Sequence, residues 1–116
     1  MRAVITTLLF TLLVSASCRK NDIASGTPDC IYREIADNKG NPNWTVGSVE
    51  EYRFQNKLVY AFGPDNKIIA DGATTIKTAD CQSLCMVGGF GGQMINQCNG
   101  DNFFQSATLV RTIWKK

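Results

Sequence analysis

Val49-Glu50-Glu51-Tyr52-Arg53-Phe54-Gln55-Asn56-Lys57-Leu58-Val59-Tyr60-Ala61-Phe62 is the stretch on which the fold turns. Tyr52 and Phe54 alternate on one face of an extended run from Val49 to Gln55. Leu58, Tyr60 and Phe62 alternate on one face of a second run, Leu58 to Phe62. The short Gln55-Asn56-Lys57 link joins them into a predicted hairpin, its aromatic side chains directed at a covering helix.

That helix lies upstream. Thr27-Pro28-Asp29 combines a capping hydroxyl, a proline suited to the first helical position and an acid for the first turn. Ile31 and Ile35 then share one face, and Asn38-Lys39-Gly40 ends the helix before the loop Asn41-Pro42-Asn43. Downstream, Thr74 to Thr78 and Ser83 to Val87 read as a second hairpin around Ala79-Asp80-Cys81-Gln82. Leu109 to Trp114 is a last strand, and Trp114 is expected in the core. One helix followed by neighbouring strands predicts an α+β fold: an N-terminal helix packed on an antiparallel β-meander of about four to five strands. The stretch Gly88 to Gly100 would be a long ordered, glycine-rich loop.

The first residues address compartment rather than fold. Met1-Arg2 leads into an apolar segment from Ala3 to Val14, broken by Thr6, Thr7 and Thr11, then Ser15-Ala16-Ser17-Cys18. As a helix this segment would span roughly 18 Å, short of a hydrocarbon core about 30 Å thick. A positive start, a short apolar run, small residues and a cysteine form the layout of a bacterial lipoprotein signal, although Ser15 stands where such signals usually carry leucine. Residues 1–17 are therefore expected to be a signal peptide, and Cys18 the lipidated first residue of the mature chain. Lipid chains of this kind give stable membrane attachment when more than one is present. Arg19 follows where an inner-membrane retention signal would place Asp, which by analogy points to the outer membrane. Residues 18–27 are expected to be a polar tether, and 28–116 a single domain.

Setting Cys18 aside leaves Cys30, Cys81, Cys85 and Cys98, an even set suited to disulfides in an oxidising envelope compartment. Four cysteines allow three pairings. Cys81–Cys85 would close a very short loop across a hairpin, so the other two patterns compete. Cys30–Cys81 with Cys85–Cys98 is preferred, because the first would staple helix to sheet and the second would close the base of the glycine-rich loop. Zinc is disfavoured, since Cys81-x-x-x-Cys85 has no matching second pair.

Chemistry is sparse. The chain contains no histidine, which removes the commonest general base and metal ligand. Glu50 and Glu51 are adjacent on a strand, point to opposite faces and are expected on a solvated hairpin edge. Gly88-Gly89-Phe90-Gly91-Gly92 lacks both the Gly-Lys-Ser/Thr ending and the Gly-x-Gly-x-x-Gly spacing of nucleotide loops. Its glycines are expected to serve turns and close backbone approach. Read functionally, it is a recognition loop with Phe90 and Met94 as apolar contacts. Trp44, in a polar loop, is a third candidate contact, although a tryptophan so placed more often folds back onto its own helix. The basic residues are scattered apart from Arg19-Lys20 and Lys115-Lys116, and the formal charge of +2 gives no reason to expect nucleic acid.

Taken together, Cys30-Ile31, Glu51 to Phe62, Asp80-Cys81, Val87-Gly88-Gly89-Phe90-Gly91-Gly92, Asn99-Gly100 and Arg111-Thr112-Ile113-Trp114 resemble a family of small bacterial envelope lipoproteins. The resemblance runs from Cys30 to Trp114. It implies one domain and an envelope location, and it supplies no catalytic residue, because the family's shared domain has no assigned function. The expectation is a non-enzymatic, lipid-anchored module without cofactor or metal, binding an envelope protein or a surface ligand. The alternative is an inhibitor of an envelope hydrolase acting through residues 88–100. A thiol-dependent enzyme is a distant third.

Overall fold

The computed structural model describes residues 22–69, 72–89 and 96–116. The first hairpin consists of β1 (Val46–Phe54) and β2 (Lys57–Pro64). Gln55 and Asn56 alone form its turn, with φ of 50° and 63°. Two successive positive-φ residues make the tight connection whose twist matches the flanking strands. The turn sets Phe54 opposite Lys57, Tyr52 opposite Val59, Glu51 opposite Tyr60 and Val49 opposite Phe62.

This register corrects the expectation that all the hairpin's aromatic residues face the helix. A three-residue link would place Phe54 opposite Leu58. The two-residue link shifts the pairing by one, and a shift of one exchanges faces. Tyr60 and Phe62 lie with Val49 beneath the helix, whereas Phe54 and Tyr52 belong to a separate cluster.

The second hairpin, β3 (Thr74–Thr78) and β4 (Ser83–Val87), has the predicted bounds. The strand predicted over Leu109 to Trp114 is β7 (Thr108–Lys115), which pairs with β1 on the far side from β2. The result is a five-stranded antiparallel sheet in the order β4-β3-β2-β1-β7. One face carries α1 (Asp29–Asn38), whose Ile31 and Ile35 are fully buried among Val49, Tyr60, Phe62, Ile113 and Trp114. The helix begins differently from the prediction. Pro28 is the capping residue, and the Thr27 hydroxyl donates back to the Ala24 carbonyl at 2.6 Å instead of capping.

Residues 22–27, part of the tether expected over 18–27, lie against the domain. Ile23 is buried in the helix-side core, the Ala24 N–H donates to the Ile113 carbonyl at 2.9 Å, and the Trp114 indole donates to Asp22. From Asp22 onward the chain is part of the domain, because an isoleucine gains more from the core than from solvent.

On the other face, the expected loop from Gly88 to Gly100 contains a short element, β5 (Gln97–Cys98). It pairs with β6 (Asp101–Asn102) around Asn99-Gly100, both at positive φ. A four-residue helix, α2 (Phe103–Ser106), follows, with the Asn102 side chain accepting from the Gln105 N–H. Phe103 is fully buried, its ring 5.1 Å from that of Tyr52 and 5.2 Å from that of Phe54. Each face therefore has its own apolar cluster.

Candidate functional site

Both bridges of the preferred pairing are present. Cys30–Cys81 ties the start of α1 to the turn between β3 and β4, and Cys85–Cys98 ties β4 to β5. The four thiols are thus consumed in crosslinks.

Glu51 corrects the picture of a solvated carboxylate pair. It is 4% exposed and lies in the interior strand β1, with Tyr60 opposite it on β2 and Arg111 opposite it on β7. The Tyr60 hydroxyl donates to Oε2 at 2.9 Å and Arg111 Nε to Oε1 at 3.1 Å. Arg111 Nη1 also donates to the Ser25 carbonyl at 2.7 Å, linking the entering chain to the same network. A buried carboxylate is tolerable when its oxygens are satisfied in this way. Burial first, then the hydrogen bond to Glu51 and its charge, push the Tyr60 hydroxyl up to about 12. Such a phenol holds its proton and builds structure. Sequence alternation alone put the two glutamates on opposite faces; only the register shows that one of those faces is covered.

A second ion pair joins Lys77 to Glu34 across the α1–β3 contact, with Lys77 Nζ 4.7 Å from the Phe62 ring centre. Glu34 Oε2 is buried without a hydrogen-bond partner. Among the described residues, no group of three or more histidine, cysteine, aspartate or glutamate side chains is placed to hold a metal ion.

A concavity lies at the end of the sheet where the β1–β2 and β3–β4 turns come together. It has a volume of about 680 Å³. Phe54, Leu58, Val59 and Leu84 supply its apolar surface, and Lys57, Asp80, Gln82 and Asn99 its polar rim. A latch fixes one wall. Gln55 Nε2 donates to the Asn99 carbonyl at 2.9 Å and to Asp101 at 2.7 Å, and Asn99 Nδ2 donates to Gln55 Oε1 at 2.6 Å. Leu58 is 39% exposed at this opening. Apolar surface ringed by a few fixed polar groups is the usual make-up of a recognition pocket. It offers no histidine and no facing carboxylates for acid–base work.

Of the predicted contact residues, Trp44 is described, and it does not line this groove. Cys18, Phe90 and Met94 lie outside the described residues. Trp44 is half-buried against the helix-side cluster that contains Ile31 and Ile35 of α1, with its ring centre 5.3 Å from that of Trp114. The groove residues went unrecognised because turn residues and a lone leucine carry no sequence signature; their grouping depends on two hairpins ending at the same level.

A family model described as a domain of unknown function (DUF6970) matches residues 34–116. The chain belongs to this family. No curated protein and no solved structure matches it. The DUF6970 match takes in Glu51, Tyr60, Arg111 and the whole groove. It begins inside α1, after Cys30, so the first bridge joins a residue outside the matched span to one within it. No helix among the described residues is long and apolar enough to cross a membrane.

Proposed function

We propose that the chain is a non-catalytic binding module of the bacterial envelope, held to the membrane by lipid on Cys18. Its groove at the β1–β2 and β3–β4 turns would take an apolar side chain of a partner protein. The observation that carries this reading is the position of the groove. The chain enters the domain beside Trp114 and Lys39, at the end of the sheet opposite the one where Leu58 and Asn99 lie. An anchored domain built this way presents its cavity away from its attachment point. An outer-membrane location follows from Arg19 by analogy alone.

Two measurements test it. Mass spectrometry of the N-terminal peptide should find Cys18 acylated at the new N-terminus, and Cys18→Ser should release the protein from membranes or leave it as precursor. An unmodified Cys18 still joined to Ser17 overturns the anchor. A photo-crosslinking residue at position 58 should capture a partner in intact envelopes, and Leu58→Asp should abolish capture of that partner without unfolding the domain. Equal capture by Leu58→Asp, with the crosslinker moved to Lys57, overturns the groove.

The hydrolase-inhibitor alternative has one observation in its favour. The latch from Gln55 to Asn99 makes the base of the 88–100 segment a wall of the groove. In that version Phe90→Ala, rather than Leu58→Asp, loses the partner.

A further inference from the structure

The docked segment Asp22–Thr27 fixes how the domain stands on its membrane, given the lipid on Cys18 proposed above. Only Arg19, Lys20 and Asn21 separate Cys18 from Asp22. Four residue steps reach at most about 14 Å at full extension. Asp22 is itself held, by Lys39 at the end of α1 and by the Trp114 indole near the end of β7. The end of the domain where the chain enters is therefore kept within a short distance of the headgroups.

That end is formed by the start of β1, the ends of α1, β2 and β7, and the loop after β2. It carries Lys39, Lys67, Lys115 and Lys116 against Asp22, Asp37 and Asp65. Lys39 is paired with Asp22 and Lys116 with Asp65, whereas Lys67 and Lys115 have no acidic partner among the described residues. In sequence, Arg19 and Lys20 add two more positive charges between Cys18 and Asp22. The opposite end, around the groove, carries Arg53 and Lys57 against Asp29, Asp80 and Asp101. Positive charge is thus in excess at the tethered end and negative charge at the free end. Surface charges act over about 8–10 Å at physiological salt, a distance comparable to the tether.

We infer that the entry end is a membrane-docking surface for anionic phospholipid, with Lys67 and Lys115 as its headgroup contacts. The domain then stands upright, its strands running away from the bilayer and its groove outermost. Lysine near an anionic leaflet is attracted strongly enough to shift its contact equilibrium about fivefold. A tether of three residues makes that attraction intramolecular, so no further affinity is required.

The test uses the full lipidated chain, purified from its own membranes and placed in vesicles of phosphatidylcholine with or without phosphatidylglycerol. A membrane-impermeant amine reagent is applied, and modification is read peptide by peptide. On anionic vesicles, labelling of Lys67 and Lys115 relative to Lys57 should fall about fivefold compared with neutral vesicles. The two tryptophans, Trp44 and Trp114, both belong to the docked end. Lipids brominated near the headgroup should therefore quench their fluorescence more on anionic vesicles. Acylated protein that stays on the vesicles but labels alike at both ends overturns the docked orientation and leaves the anchored module intact. Equal protection on neutral vesicles overturns the anionic-headgroup contact. An unacylated Cys18 removes both this inference and the anchor it rests on.

Discussion

The two faces of the sheet are covered in different ways. The helix side is closed by a ten-residue helix and by the entering chain, and it buries a charged network along with its apolar residues. The other side is covered by a four-residue helix whose Phe103 fills the space between Tyr52 and Phe54. Beyond that plug, Phe104, Leu109 and Val110 remain about half exposed. The helix side gains specificity from polar pairing over a long-range core. The other side closes its own apolar cluster with one aromatic plug and a local disulfide.

The sharpest way to break the comparison is to remove each bridge. Cys30–Cys81 spans 51 residues and Cys85–Cys98 spans 13. On chain-entropy grounds, replacing Cys30 and Cys81 by alanine should cost about 4 kcal/mol in urea denaturation. The same change at Cys85 and Cys98 should cost about 3 kcal/mol. Hydrogen exchange should show the first loss spread over α1 and the sheet, and the second confined to β4, β5 and α2.

Glu51→Ala should cost about 3 kcal/mol, the low end for breaking a buried pair, since Arg111 is partly solvated. Glu50→Ala, on the other face, should stay within about 0.5 kcal/mol. Equal costs would mean that the Glu51 network contributes no more than a surface charge.

The pH dependence should be a smaller effect and belong mainly to the helix side. The Tyr60 hydroxyl is raised to about 12 in the folded chain, against an ordinary value near 10. The neutral phenol is therefore favoured by folding. Its contribution is fully present below pH 10 and is lost as the pH rises toward 12. Stability measured across that window should fall less steeply in Tyr60→Phe. Smallest of all, Leu109→Thr on the open stretch of β7 should change stability by less than about 0.5 kcal/mol.

The sequence carried much of the fold. Alternation located the four longest hairpin strands and the last strand, and Ile31 with Ile35 marked the buried stripe of α1. What it hid depends on a single residue of register. Whether Gln55-Asn56 closes the turn alone or with Lys57 decides the destinations of Tyr52, Phe54 and Glu51, and composition is nearly indifferent between the two. α2 was unreadable because four residues have no periodicity; Phe103 is helical through packing. The groove was less legible still. Its floor combines Phe54, an obvious strand aromatic, with Leu84 and Leu58, which meet only when two hairpins end side by side. Ile23 looked like a lone apolar residue in a polar lead-in, and its socket between α1 and β7 exists only in the assembled core.

The early docking of Ile23 has a practical consequence for any shortened version of this protein. The family match opens at residue 34, yet the chain is already docked on the fold at Asp22. A chain trimmed to the matched span would lose half of α1, the residue that pairs with Cys81, and the strip lying along the end of β7. Cys81 would then be a lone thiol at a turn, free to join two molecules, and at the opposite edge of the sheet β7 would lose the backbone partner of Ile113. Such a fragment should be recovered as reducible dimers and larger aggregates, while a version starting at residue 22 should be monomeric.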